Sequence, residues 1–373
     1  MATQGLENSL TSSESKPMVT DRGRDYDDTR SRLIRWLSER LPHAQDLTLS
    51  SFSHPIGAGV SNETILFEAE WRNEQGHERQ GFVLRFHPSG YQMFLDPGFE
   101  RQIALIKTLN ASGFPAPRIL WEEHDAAVLD SPFFVMERVV GRVPVSHPVY
   151  NLSGWLFDAS VGMRRSVWEN AMHKMARIHS FDAAHLSFLQ RPQYDGDNFA
   201  QEYAYWRAAY AWSAGEVAFP VIEDAFAWLD AHYPENRQDG LAWGDARIGN
   251  MMFAEDGAVR VVLDWEQASL AGGLHDLAWW LTMDDMFSTG IGVKRLDGLG
   301  KRDETIALWA ELTGRSTQEL LWHEVFACVR GATLVVRQCA LKAQAVPGNN
   351  GNNNLFTRQL AIRLGWDCPK DMC

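Results

Sequence analysis

Gly244-Asp245-Ala246-Arg247-Ile248-Gly249-Asn250 is followed, fourteen residues beyond Asn250, by Asp264 at the end of the apolar run 259–263. A carboxylate and a carboxamide five positions apart, with a second carboxylate closing the next strand, form the inventory that phosphoryl transfer from ATP needs. One carboxylate positions the acceptor, and separate oxygen ligands hold magnesium against the phosphates. D-x-x-x-x-N is the kinase catalytic-loop interval, and an Asp ending the following strand takes the metal position of the kinase D-F-G motif. The sequence therefore assigns Asp245 as catalytic base and Asn250 and Asp264 as Mg2+ ligands. Arg247, two residues after the base, is placed to neutralise charge on the transferring phosphoryl group. Asp and Asn also favour turns on their own account, so the assignment leans on the fixed interval, the apolar strand and landmarks upstream.

Upstream, a helix is expected over 29–41, with Leu33, Ile34, Trp36, Leu37 and Leu41 on one face and Pro42 ending it. A glycine-rich turn around Gly57 and Gly59 then leads into a strand alternating Ile65, Phe67, Ala69 and Trp71 against Leu66, Glu68 and Glu70. A hairpin loop, the strand 81–86, a helix over 99–113 and a β-rich run at 131–141 complete an α+β lobe. Beyond it the pattern turns helical: Trp168, Ala171, Met172, Met175 and Ile178 recur at helical spacing. The expected fold class is thus α+β and bilobal, with an antiparallel sheet plus helix in the N-lobe and a mainly helical C-lobe. The expected division is a disordered tail over 1–28, an N-lobe over 29–138 and a C-lobe over 139–373.

Residues 195–235 are helical in pattern and crowded with aromatics, among them Phe199, Tyr203, Tyr205, Trp206 and Trp212. Helix core is the plain expectation for most of them, and a lid over a substrate is the alternative. The run 347–354, PGNNGNNN, is expected to be a flexible loop between two C-terminal helices.

With 373 residues, 45% of them hydrophobic, the chain can bury a sizeable core and divide into two lobes. A formal net charge of −13 repels phosphate backbones, and no basic cluster compensates, so neither nucleic acid nor an anionic membrane surface is an expected partner. No stretch reaches the roughly 18 apolar residues of a membrane span. Cys328, Cys339, Cys368 and Cys373 show no metal or disulfide spacing. With no signal-peptide pattern at the N-terminus, a cytoplasmic location is expected. No G-x-x-x-x-G-K-[ST] loop occurs, and no strand-flanked G-x-G-x-x-G, which excludes P-loop kinases and Rossmann dehydrogenases.

Six landmarks fall in one order: Gly59-Val60-Ser61-Asn62-Glu63-Thr64, Val83-Leu84-Arg85, Met136-Glu137-Arg138, Ile178-His179-Ser180-Phe181-Asp182, the Asp245 loop, and Leu263-Asp264-Trp265-Glu266. In this the chain resembles the aminoglycoside phosphotransferase-like small-molecule kinases, which include choline-kinase-like enzymes and acyl-CoA-linked phosphotransferases. The resemblance spans about residues 49–281. It implies ATP and Mg2+ as cofactors and a small-molecule hydroxyl as acceptor. It also implies that Gly57, Gly59, Ser61 and Asn62 form the turn over the phosphates, where backbone N–H groups approach the anion. Arg85 takes the place of the kinase strand lysine, with Glu100 on the next helix as its ion-pair partner, and Glu137 and Val139 present backbone groups to adenine. His179 and Asp182 are expected at a helix end rather than in catalysis. Asp276 either bonds the catalytic-loop backbone or is a charge at a helix N-terminus.

Two departures stand out, one from the family pattern and one from protein kinases. Trp243 replaces the histidine that precedes Gly-Asp, and Trp265-Glu266 replaces Phe-Gly after the metal Asp, as in this family but not in protein kinases. About a dozen residues separate Asp264 from the next helix, too few for an activation segment, which disfavours a protein substrate. Aminoglycosides or other antibiotics, hydroxyacyl thioesters and choline-like alcohols all remain open as acceptors. The aromatic density of 195–235 favours an acyl-type or ring-bearing alcohol. A nucleotide-binding pseudokinase with a regulatory role is the competing expectation, motivated by Trp243 and Arg85.

Overall fold

The computed structural model describes residues 24–55, 63–88, 92–342 and 351–368. The first helix, α1 (Tyr26–Arg40), starts inside the segment expected to be tail, because Asp25 caps it by accepting from the Asp27 and Asp28 amides. Arg24 anchors that entry, donating to Glu63 and to the Leu129 carbonyl.

Five strands form one antiparallel sheet: β1 (Gln45–Leu49), β2 (Thr64–Asn73), β3 (Gly76–Phe86), β4 (Ile119–Glu123) and β5 (Phe133–Glu137), in the order β1-β2-β3-β5-β4. The two-residue period decides its faces. Ile65, Phe67, Ala69, Phe82, Leu84, Phe86, Phe133 and Val135 point to one side and close against Leu33, Trp36 and Leu37 of α1. On the other face, Phe134 and Met136 meet Phe99 and Ile103 of α2 (Phe99–Ala111). The far side of α2, through Leu105, Ile106 and Leu109, enters the large C-lobe core, so this helix is shared between the lobes.

The C-lobe follows as α3 (Trp155–Asp158), α4 (Val161–Ile178), α5 (Asn198–Ala214), α6 (Pro220–Ala231), β6 (Met251–Phe253), β7 (Val259–Val262), α7 (Gly273–Met286), α8 (Arg302–Thr313), α9 (Leu320–Lys342) and α10 (Leu355–Leu364). Phe199, Tyr203, Tyr205 and Trp206 of α5 are buried in the core, so those aromatics pack rather than form a lid. The described part of the Asn/Gly run is likewise built in: Asn353 and Asn354 are buried, and Asn354 caps α10. The chain leaves the sheet after Glu137 and reaches the β6–β7 hairpin through Gly141, where an added Cβ would stand 2.5 Å from Met252 Cγ and 2.9 Å from the Phe253 carbonyl. Reciprocal Arg142–Phe253 backbone bonds of 2.8 Å fasten that crossing to β6. Among the described residues, no helix is long and apolar enough to cross a membrane.

Candidate active site

The β6–β7 hairpin sets the spacing of the site. Leu263 N–H donates to the Asn250 carbonyl at 2.8 Å, locking the end of the catalytic loop to the residue before Asp264. Asn250, buried, turns its amide back onto Asp245, with Nδ2 donating to the carbonyl at 3.0 Å and to Oδ2 at 2.6 Å. That use of Nδ2 leaves the amide Oδ1 as the ligand-type atom. Arg247 Nε donates to the same Asp245 Oδ2 at 3.1 Å, while Nη1 is held by Ser146 Oγ at 2.8 Å. Burial works against the Arg247 cation, but Asp245 and Asp264 more than offset it and hold its pKa above the usual value.

Asp264 takes a positive φ of 60°, uncommon for a residue with a side chain, which aims its carboxyl off the end of the hairpin. Its Oδ1 is buried without a hydrogen-bond donor, and Arg85 Nη2 lies 3.8 Å away. Burial pushes the Asp264 pKa up, Arg85 opposing that and Asp245 adding to it. A buried anionic oxygen with no donor is costly unless a cation completes it. Among the described residues, no three His, Cys, Asp or Glu side chains form a cation cage. Magnesium needs no such cage, since it takes one or two protein oxygens and fills its octahedron with phosphate and water. Asn250 and Asp264 therefore fit that ion.

The loop itself is braced from beneath. Asp276, fully buried in the first turn of α7, accepts from Trp243 N–H at 2.6 Å, Gly244 N–H at 2.8 Å and His179 Nε2 at 2.9 Å. Trp309 Nε1 donates to His179 Nδ1 at 2.9 Å, which makes Nδ1 the acceptor and fixes the neutral tautomer whose Nε2–H faces Asp276. Of the two roles open to Asp276, the structure thus selects loop support, and His179 joins it from the end of α4. Asp182 caps the following turn through Ala184 N–H. Gly244 has φ of +94°, and an added Cβ would fall 2.1 Å from the Gln267 carbonyl, so only glycine fits there. Trp243 adds its own tie, the indole N–H donating to the Leu263 carbonyl at 2.8 Å.

One expected pairing is overturned. Arg85 does not meet Glu100: its Nη2 donates to Glu266 Oε2 at 2.7 Å, whereas Glu100 is exposed and sits 3.3 Å from His124 Nδ1. The cause is directional. Glu100 lies on the exposed face of the first turn of α2, while Arg85 projects from β3 toward Glu266, which follows the Asp264 strand end. Glu137 ends β5, its N–H donating to the Arg118 carbonyl at 3.0 Å, and Val139 follows half-exposed. Gly57, Gly59, Ser61 and Asn62 lie outside the described residues. The sequence reading did not find Glu266 as the arginine partner, nor Ser146, Trp279 and Arg330; only Glu266 carried a signal, its place beside the metal-type Asp.

An α+β kinase-like fold that joins two such carboxylates and a carboxamide at one hairpin belongs to the phosphotransferases. Comparison with known proteins is specific: the sequence profile of the APH phosphotransferase enzyme family matches residues 54–314, and the chain belongs to that family. It is similar to the rat (Rattus norvegicus) protein "Acyl-CoA dehydrogenase family member 11", 24% identical over 318 residues, which cover 81% of this chain and 40% of that one. The chain thus spans about two fifths of that relative's length. Among solved structures, a candidate aminoglycoside phosphotransferase of Ralstonia eutropha superposes with a TM-score of 0.63 at 20% identity, covering 89% of this chain and 95% of that one. A thermostable mutant of an aminoglycoside phosphotransferase in ternary complex with ADP and hygromycin B gives 0.52 at 14% identity, covering 89% and 95%. At such identities these two likenesses speak to the fold, and the family match carries the phosphotransferase assignment.

Proposed function

We propose that the protein is an ATP-dependent kinase that moves the γ-phosphoryl group to a hydroxyl of a small molecule. The observation that supports this most is the donorless Asp264 Oδ1, set beside a catalytic loop whose Asn250 is spent on Asp245 through its N–H groups alone. Asn250 and Asp264 would hold Mg2+, which supplies charge neutralisation to the phosphates when bound. Asp245 orients the acceptor hydroxyl and takes its proton as the new P–O bond forms and the bond to ADP breaks. Arg247, tied between Asp245 and Ser146, offers its remaining guanidinium edge to the transferring group. Arg85, paired to Glu266, would take the part of the kinase strand lysine toward the phosphates. The turn of Gly57, Gly59, Ser61 and Asn62 would cover them, and the Glu137–Val139 backbone would face adenine.

The acceptor class favoured is an acyl-type alcohol, with a ring-bearing alcohol or an antibiotic as the other candidates. A curated relative named for acyl-CoA dehydrogenases supports it, whereas the buried aromatics of α5 no longer do. Only eight residues, 265–272, lie between Asp264 and α7 and are available for an activation segment, which speaks against a protein acceptor. The pseudokinase reading loses its motive at Trp243, because that residue braces the loop through both its backbone and its indole N–H.

The test is ADP formation from Mg-ATP across a panel of hydroxylated metabolites, hydroxyacyl thioesters and antibiotics. Asp245→Ala is expected to abolish turnover and retain nucleotide binding. Turnover at the wild-type rate in that variant would remove Asp245 from the chemistry, and nucleotide binding without turnover of any acceptor would favour the pseudokinase.

A further inference from the structure

Asp245 is gripped at both oxygens. Arg247 and Asn250 hold Oδ2, and Trp279 Nε1, from the middle of α7, donates to Oδ1 at 2.6 Å. An acceptor hydroxyl can therefore meet this carboxylate only along the directions these donors leave free. Without the indole N–H, no other hydrogen bond among the described residues holds Oδ1, and the terminal torsion, which is broad for a carboxylate, would be set by the donors on Oδ2 alone.

The indole is itself held. The guanidinium of Arg330, fully buried on α9, lies 4.6 Å from the Trp279 ring centroid and 4.9 Å from that of Trp206. From there its Nη2 donates to the Gly244 carbonyl at 2.8 Å and approaches Gln267 Oε1 at 3.3 Å. One side chain thus touches both the ring that grips Asp245 and the peptide group that precedes Asp245. Phe356 of α10 also stacks on Trp279, at 5.9 Å and 25°, in space that exists because residue 331 is glycine: a Cβ there would fall 2.1 Å from the Phe356 ring. Among the described residues Arg330 has no carboxylate within ion-pair distance, and its Nε and Nη1 have no hydrogen-bond partner, so its contacts are the two ring faces, the Gly244 carbonyl and Gln267 Oε1. A buried arginine without an ion pair is expensive, which a purely packing role would not call for.

We propose that Trp279 and Arg330 are a positioning pair: Trp279 fixes the rotation of the Asp245 carboxylate, and Arg330 fixes Trp279 against the Gly244 peptide. Neither touches nucleotide or acceptor. The inference rests on Asp245 being the group that orients the acceptor.

The experiment is single-turnover ADP formation from Mg-ATP with water as the phosphoryl acceptor, alongside the dissociation constant of Mg-ADP and the melting temperature. Trp279→Phe removes the N–H. A second variant, with benzothienylalanine at 279, puts sulfur where the N–H stands and keeps the shape of the ring. Both are expected to slow turnover by about 10- to 100-fold, the loss that accompanies misplacement of a reacting group, with Mg-ADP affinity unchanged within about twofold. Arg330→Lys keeps the charge but loses the plane that lies against both rings, and is expected to behave alike. Turnover within twofold of wild type in the benzothienylalanine protein, while Asp245→Asn is inactive, would overturn the pair and leave the kinase reading standing. An active Asp245→Asn would overturn the kinase reading itself, and the pair with it. Loss of nucleotide affinity in step with turnover would mark both residues as packing only, and overturn the proposal.

Discussion

Replacing Asp276 by Asn exchanges a carboxylate oxygen for an amide nitrogen without changing volume, so no cavity term enters. The retained oxygen can keep the Gly244 bond of 2.8 Å. The new NH2 group then faces Trp243 N–H and His179 Nε2–H, which are both donors. His179 cannot escape by changing tautomer, because Trp309 already donates to its Nδ1. If the amide flips, its oxygen takes the place of Oδ2 and keeps both Trp243 N–H and His179 Nε2–H, and only the Gly244 donor is orphaned. In that better orientation one fully buried donor is left without an acceptor, at a cost of about 1–3 kcal/mol. The expected loss is therefore roughly 1–3 kcal/mol, a sizeable part of the about 5–15 kcal/mol that holds a typical protein folded. Urea unfolding at neutral pH measures it, and ADP formation under conditions where the variant remains folded should fall as the loop loses its support. A loss under about 1 kcal/mol with unchanged turnover would refute the view that this carboxylate holds the loop. His179→Ala in the same background supplies the cycle: the two losses should be clearly less than additive.

Gly244→Ala is expected to cost roughly 3–5 kcal/mol, since φ of +94° strains any side chain and the new Cβ would meet the Gln267 carbonyl at 2.1 Å; a melting curve like that of wild type would count against the loop geometry. Glu100→Gln should leave turnover unchanged and stability within about 0.5 kcal/mol, because its partner is an exposed histidine, whereas Arg85→Met should raise the KM for ATP by about tenfold or more through loss of the Glu266 pair beside Asp264. Equal effects of the two substitutions would reinstate the pairing expected from the sequence. His323 is buried and its pKa is depressed to about 3 from 6.5, burial being the main cause and Arg330 the second. Between those values the unfolded chain takes up a proton that the folded one refuses, so stability falls as pH drops through that window, by about 2 kcal/mol from this residue at pH 5. His323→Gln should flatten that part of the stability–pH curve, as followed by urea midpoints.

The class of fold, most of the element order and the meeting of Asp245, Asn250 and Asp264 at one hairpin were legible because their signals are local, whereas the short edge strands β1 and β4 were not read from the sequence. A two-residue alternation exposes β2, helical spacing exposes α4, and the interval from Asp245 to Asn250 lies within one loop that closes on itself through the Asn250 amide. The entry into α1 was missed for an equally local reason: Asp25 caps the helix with its side chain, and a polar stretch before an apolar stripe reads as tail when the cap is not counted. Pattern also separated Asp264 from ordinary turn carboxylates, since it closes an apolar strand. What remained out of reach is every contact whose partners are far apart along the chain. Arg85 finds Glu266 across 181 positions, Arg330 finds Gly244 across 86, and His179 finds Asp276 across 97. No periodicity encodes such meetings. They depend on the direction in which a side chain leaves its strand or helix, and on which buried donors remain to be satisfied once the core has closed, and those are properties of the packed chain alone.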